Sequence, residues 1–142
     1  MSGTSTITKS KGKNKSIDWH QDLIYDKEGD SSQLVCWTSV THSDPENGGL
    51  LIFPGSHKKG LLTHEKSDLY PRDLRTIGVE PEKATPLTLR KGQVVVLHPL
   101  VIHGSSDNKT DGDRIALMSL YRKPKIGMSD MEKKIGIEIL RG

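Results

Sequence analysis

Apolar positions along the chain fall in short runs, each closed by turn-forming residues. "WHQDLIY" (19–25) predicts a short strand, and "YDKEGDSS" (25–32) a turn. "QLVCWTSV" (33–40) is β-branched and aromatic, a strand signature. "THSDPENGG" (41–49) is loop, and "LLIFPGSH" (50–57) is a strand running into a tight Pro54-Gly55 turn. Residues 57–83 are polar and predict a long excursion without clear elements. "TPLTL" (85–89) predicts a short strand and "RKGQ" (90–93) a turn. "VVVLHPLVIHGSS" (94–106) predicts two strands broken near Pro99. "RIALMSLY" (114–121) predicts the last clear strand, and the C-terminal stretch can start a helix at Ser129 with Glu132 as its capping-box partner.

About seven short strands with almost no helix predict an all-β, antiparallel sandwich or barrel. The 142 residues allow one domain. At 32% apolar and 4% aromatic the chain is lean for a self-contained domain. The expected division is a disordered polar tail over 1–16, a core over 17–125 and an extension over 126–142.

Charge changes the picture less than its sum suggests. The net charge is +3, but Lys9, Lys11, Lys13 and Lys15 lie in the acid-free "MSGTSTITKSKGKNKS". Without those four, 17 basic side chains face 18 acidic ones. A Ser/Thr/Lys/Gly tail has little to bury, which predicts disorder. No aromatics interleave with its lysines, so a nucleic-acid partner is not expected. No apolar run approaches membrane-spanning length, so no membrane partner is expected either. The lone Cys36 sits in apolar "LVCWTSV", predicting a buried small hydrophobe in a reducing, intracellular compartment.

Side chains two apart on a strand share a face, so His20 and Asp22 would project together and Gln21 away. His103, in "VIHGSS", can return to them in an antiparallel fold. Two histidines and one carboxylate on one face match the facial triad of non-haem Fe(II) oxygenases. An isolated H-x-D pair is more often a surface polar pair or a His–Asp hydrogen bond. Arg114 opens the strand after His103, and antiparallel pairing across the intervening loop would set its fork beside that histidine. There it could take a carboxylate through two hydrogen bonds; its ordinary alternative is a solvated charge. His98 has no carboxylate nearby and is read as structural. His57 belongs to the "FPGSH" turn, and His42 and His64 to solvated loops.

"WHQDLIY", "LVCWTSV", "ENGGLLIFPGSHKKGLLTH", "GQVVVLHPLVIHGSSDNKTDGDR" and "IALMSLYRKP" follow one another in an order that resembles the phytanoyl-CoA dioxygenase family of Fe(II)/2-oxoglutarate oxygenases. The likeness spans about residues 19–124. It implies a double-stranded β-helix, or jelly roll, with iron ligands at His20, Asp22 and His103. It places Gln21, Trp37, Ser105 and Arg114 around 2-oxoglutarate, with Arg114 on the distal carboxylate. The residues alone would read Trp37 as core and Ser105 as a turn hydroxyl. The likeness implies hydroxylation, consuming O₂, of an acyl-CoA or another small organic substrate, with ascorbate as a further candidate. Asp22 argues against halogenation, because halogenating relatives carry a small residue there. The compartment would be peroxisomal for a true relative and cytoplasmic otherwise.

Family members have a substantial region before H-x-D, and only 19 residues precede His20 here, most of them linker-like, so the first strands and helices of the jelly roll are expected to be missing. An open sheet edge and uncovered apolar faces would follow. The alternative reading is therefore a truncated, non-catalytic jelly-roll remnant that binds ligand or partner without turnover. A cupin-like metal module without 2-oxoglutarate is a third, which Arg114 argues against. The sequence does not name a substrate or an oligomeric state.

Overall fold

A computed structural model describes residues 3–12, 16–26, 29, 31–69 and 73–122. Ten strands follow one another: β1 (Gly3–Lys9), β2 (Ile17–His20), β3 (Leu34–Ser39), β4 (Leu50–Ile52), β5 (His64–Lys66), β6 (Leu74–Thr76), β7 (Thr85–Pro86), β8 (Val94–Leu97), β9 (His103–Ser105) and β10 (Arg114–Tyr121). Helical structure among the described residues is confined to three 3₁₀ turns, at Asp22–Tyr25, Ser56–Lys59 and Pro81–Lys83. The helix start expected at Ser129 lies outside the described residues.

Two four-stranded sheets carry the fold, in the orders β1-β10-β3-β8 and β2-β9-β4-β7, with β5 and β6 as a separate hairpin. Every pairing is antiparallel. This is the jelly roll that the strand pattern and the family likeness imply.

The tail is the first correction. Residues 3–9 are not disordered: they form β1, paired along its whole length with β10, Gly3 opposite Leu120 and Lys9 opposite Arg114. "TSTIT" is β-branched enough to favour an extended backbone, and a strand on a sheet edge needs few apolar residues because one face stays wet. The polar excursion is the second. It folds its middle into the β5–β6 hairpin, which packs against β2.

The two sheets meet over Val35, Trp37, Leu50, Leu97 and Ala116, with Ile52, Leu87, Leu89, Val95, Met118 and Leu120 packed around them. Each large apolar side chain so covered contributes about 1.5–3 kcal/mol. The alternation of β3, β8 and β10 puts their other residues outside. Val94 and Val96 are 51% and 56% exposed there.

Two loops are tied down by single side chains. Asn47 accepts from the Asp44 N–H and donates to the His42 carbonyl, so Asn47-Gly48 is the turn its residues predict. Buried Asn108 donates to the carbonyls of Lys9 and Gly112 and accepts from Thr110, fastening β1 to the loop before β10.

Candidate metal centre

His20 ends β2 and His103 begins β9, and the two are cross-strand partners. Directly opposed residues present their side chains on one face, and here the ring centroids are 4.3 Å apart. The register shifts between Ile17 and His20, an irregularity that re-aims the histidine.

Asp22 arrives by another route than the one its spacing predicts. β2 stops at His20, and Asp22 opens a 3₁₀ turn. The turn is held by the Leu23 N–H donating to the Pro99 carbonyl at 3.1 Å. The carboxylate is thereby folded back onto the histidine pair. Its Oδ1 lies 3.6 Å from His20 Nε2 and 3.7 Å from His103 Nε2.

Both separations exceed hydrogen-bond length. Each Nδ1 is engaged elsewhere: His20 with the Asp18 carbonyl at 2.8 Å, His103 with the Val101 carbonyl at 3.0 Å. A carbonyl only accepts, so each Nδ1 carries the proton and each Nε2 keeps a free lone pair. That orientation is the usual preparation of a metal-ligating histidine. One ligand atom from each of the three residues fits within a 4.8 Å group. Asp22 Oδ2 is buried without a hydrogen-bond partner. Two imidazole lone pairs and one carboxylate, whose Oδ2 is an orphan, fit a divalent cation.

The charges agree. Burial disfavours an ionised Asp22, but His103 and His20 outweigh it and hold the carboxyl below its ordinary value. Burial and the neighbouring His20 push His103 down, toward the neutral imidazole that ligates. For His20 burial is outweighed by Asp22 and the Asp18 carbonyl, and its pKa rises.

A cavity of about 380 Å³ opens over this cluster, between the two sheets. Arg114, Ser105 and Trp37 line it together with His20, Asp22 and His103. Arg114 reaches it from β10, which pairs with β1 and β3, not with β9. The hairpin expected to set Arg114 beside His103 is thus replaced by an approach from the facing sheet. Arg114 is 2% exposed, and its guanidinium carbon lies over the Trp37 ring, 5.4 Å from the centroid. It donates to the Ile7 carbonyl at 3.3 Å, while its Nε has no partner. Burial lowers its pKa to about 10, which leaves it charged at neutral pH. Ser105 Oγ is likewise buried and unpartnered.

Gln21 is the exception among the expected residues. It does not line the cavity. Its side chain is fully buried and its amide is spent on backbone: Nε2 donates to the carbonyls of Gly60 and Leu100, and Oε1 accepts from the Leu62 N–H. Pointing away from the His20 and Asp22 side chains, it clamps two loops, 60–62 and the one at Leu100, behind the cluster. His64 joins it. Rather than lying solvated in a loop, His64 sits on β5 and its Nε2 accepts the Gln21 N–H at 3.2 Å. Its Nδ1 is turned to the Leu62 carbonyl, and burial followed by His20 pushes its pKa down. His98 is structural as expected, its Nδ1 accepting from the Leu100 N–H.

Lys9 is the residue the sequence reading missed. It is 1% exposed, and Nζ donates to the carbonyls of Ser105 and Ser106 at the end of β9. The β-branched run just before it was the available signal.

The sequence pattern described as Phytanoyl-CoA dioxygenase (PhyH) matches residues 2–116. The chain belongs to the phytanoyl-CoA dioxygenase family. It is 40% identical over 108 residues to "Phytanoyl-CoA dioxygenase, peroxisomal" of Homo sapiens, covering 69% of this chain and 31% of the human protein. It is 34% identical over 123 residues to the Bos taurus protein of the same name, covering 80% and 35%. The chain thus spans about a third of the length of these curated relatives. Among solved structures, EvdO2 from Micromonospora carbonacea var. aurantiaca superposes with a TM-score of 0.72 at 27% identity, covering 89% of this chain and 54% of EvdO2. The same protein is also known complexed with 2-oxoglutarate. No helix among the described residues is long and apolar enough to cross a membrane.

Proposed function

We propose that this chain carries the catalytic centre of an Fe(II)- and 2-oxoglutarate-dependent dioxygenase that hydroxylates a small organic substrate, an acyl-CoA being the first class to test. The observation that carries the reading is the histidine pair. Both Nδ1 protons are committed to backbone carbonyls, and both Nε2 atoms face one Asp22 oxygen across a gap too long to be a hydrogen bond. Membership of the family and the 2-oxoglutarate complex of EvdO2 support it.

His20, Asp22 and His103 would hold the iron, and the carbonyls of Asp18 and Val101 fix the ring orientations. When bound, iron(II) with 2-oxoglutarate and O₂ supplies the oxidising power to insert oxygen into a C–H bond. Arg114 would take the distal carboxylate of 2-oxoglutarate. Its unpartnered Nε and the Ser105 hydroxyl are polar groups in the cavity that await such an acceptor. Trp37 braces the guanidinium and forms the wall, and Val35, Leu50, Leu97 and Met118 keep that wall apolar, limiting water around the reactants.

The test is an anaerobic Fe(II) titration of the wild type and Asp22→Ala, followed by succinate release with 2-oxoglutarate. Tight binding in the wild type that Asp22→Ala loses is expected. Equal binding in the two proteins rejects the triad.

A further inference from the structure

A second cavity, of about 280 Å³, adjoins the first and shares Asp22, Tyr25, Val35 and Met118 with it. Arg114, Ser105 and Trp37 line only the first. The residues proper to the second are Asp26, Gln33, Leu120 and Arg122. It therefore opens on the side of Asp22 away from the proposed 2-oxoglutarate residues, where a substrate has room.

Its polar groups are unusually placed. The β3–β10 register sets Leu34 opposite Tyr121, so that Gln33 and Arg122 flank the next position. Gln33 is 2% exposed, and its Oε1 has no hydrogen-bond partner among the described residues. Arg122 pairs with Asp26 at 3.1 Å, yet its Nε is also buried and unpartnered. Buried polar atoms are nearly always bonded, and an orphan needs a reason. One orphan here is an acceptor and the other a donor. The rest of the wall is the carboxylates of Asp22 and Asp26, the Tyr25 ring, and the apolar Val35, Met118 and Leu120.

A ligand that satisfies both brings one N–H and one carbonyl on an apolar body. A carboxylate fits badly. It has no proton to offer Gln33 Oε1, and Asp26 already neutralises Arg122.

We propose that this second cavity is a substrate subsite for a neutral secondary amide, with Gln33 Oε1 accepting its N–H and Arg122 Nε donating to its carbonyl. The proposal rests on the reading of His20, Asp22 and His103 as the reaction centre, because the shared Asp22 is what sets the amide beside it. It narrows the substrate class to molecules with an amide close to the oxidised carbon, and disfavours free acids of the same length.

The experiment is isothermal titration of the full, metal-free chain with N-hexylacetamide and with heptanoate. The amide is expected to bind at least about tenfold more tightly, the discrimination a site with unmatched polar groups imposes. Gln33→Leu should lower amide affinity about tenfold while its melting temperature holds or rises, since a buried orphan acceptor is gone. Arg122→Met should weaken amide binding in the same way. Equal binding of the two probes, no binding of the amide, or unchanged affinity in Gln33→Leu overturns the proposal. So does failure of both variants to fold, which would make the pair structural. Neither iron nor 2-oxoglutarate enters this titration, so its failure is separate from failure of the Fe(II) titration.

Discussion

The guanidinium carbon of Arg114 lies 5.4 Å from the centroid of the Trp37 ring. The ring face attracts the cation and holds its plane, while the edge of the fork stays free for an anion. No acid pairs with Arg114 among the described residues, and its charge in turn helps hold the Lys9 pKa down. A buried cation so placed favours a carboxylate ligand. Arg114→Ala should therefore weaken 2-oxoglutarate binding about ten- to a hundredfold, the value of a charge-assisted pair. Arg114→Lys should recover only part of this, because an ammonium lacks the planar fork. Calorimetric titration with 2-oxoglutarate decides it; unchanged affinity in Arg114→Ala rejects the role.

Gln21 separates support from contact. The family likeness alone places it at 2-oxoglutarate, whereas its amide is committed to Gly60, Leu62 and Leu100. Gln21→Ala strips three backbone groups of their partner, each buried orphan costing about 1–3 kcal/mol. The expected result is a clear fall in melting temperature. A Gln21→Glu variant, which retains the acceptor, should keep its affinity for 2-oxoglutarate while losing stability. A Glu variant with native stability and weakened 2-oxoglutarate binding would restore the direct contact.

What was legible in the sequence divides along physical lines. His20, Asp22 and His103 could be found because their residue types are rare together and a strand spacing brings them to one face. The three side chains do meet although Asp22 reaches the cluster through a 3₁₀ turn, since both geometries return the carboxylate to the same side. Arg114 was legible as a cavity residue but not by its route, because nothing local tells whether two neighbouring strands pair or face one another across a sandwich. β1 was hidden for a different reason. Its residues are mostly Thr and Ser around a single Ile7, and an edge strand with a wet face shows no hydrophobic period. Gln33 and Arg122 carried no signal, as their importance comes only from what they fail to touch.

Lys9 makes stability depend on alkaline pH. Burial lowers its pKa from 10.5 to about 8, Arg114 adds to the shift, and Asp107 opposes it. The folded protein thus releases this proton at lower pH than the unfolded chain. Between about pH 8 and 10.5 the unfolded state binds more protons, so stability from Lys9 rises with pH through that window and is lost as pH falls through 8. Urea unfolding of the wild type and Lys9→Met at pH 7.5, 8.5 and 9.5 reads this out, the pH values being chosen to span about that window. The wild type should gain on the variant at each step. A constant difference would show that Lys9 titrates alike in both states.

Gly104 shows how closely the cluster is built. It sits between His103 and Ser105 on β9, and a Cβ there would lie 2.9 Å from the Ile17 carbonyl oxygen and 3.0 Å from the Trp19 ring. Both contacts belong to β2, the strand that carries His20. The Trp19 ring is itself held edge-on by Phe53, with centroids 5.0 Å apart, so it has little freedom to give way. Gly104→Ala must then part β2 from β9 at the one place where His20 faces His103. Overpacking of this kind costs about 1–3 kcal/mol, and a small misplacement of ligands is felt strongly at a metal site. Fe(II) affinity should fall more than the loss of stability alone would cause, with the variant still folded below its melting temperature. Anaerobic Fe(II) titration beside a thermal melt tests this. Wild-type iron affinity in a destabilised Gly104→Ala would mean that the two strands do not set the spacing of the histidines.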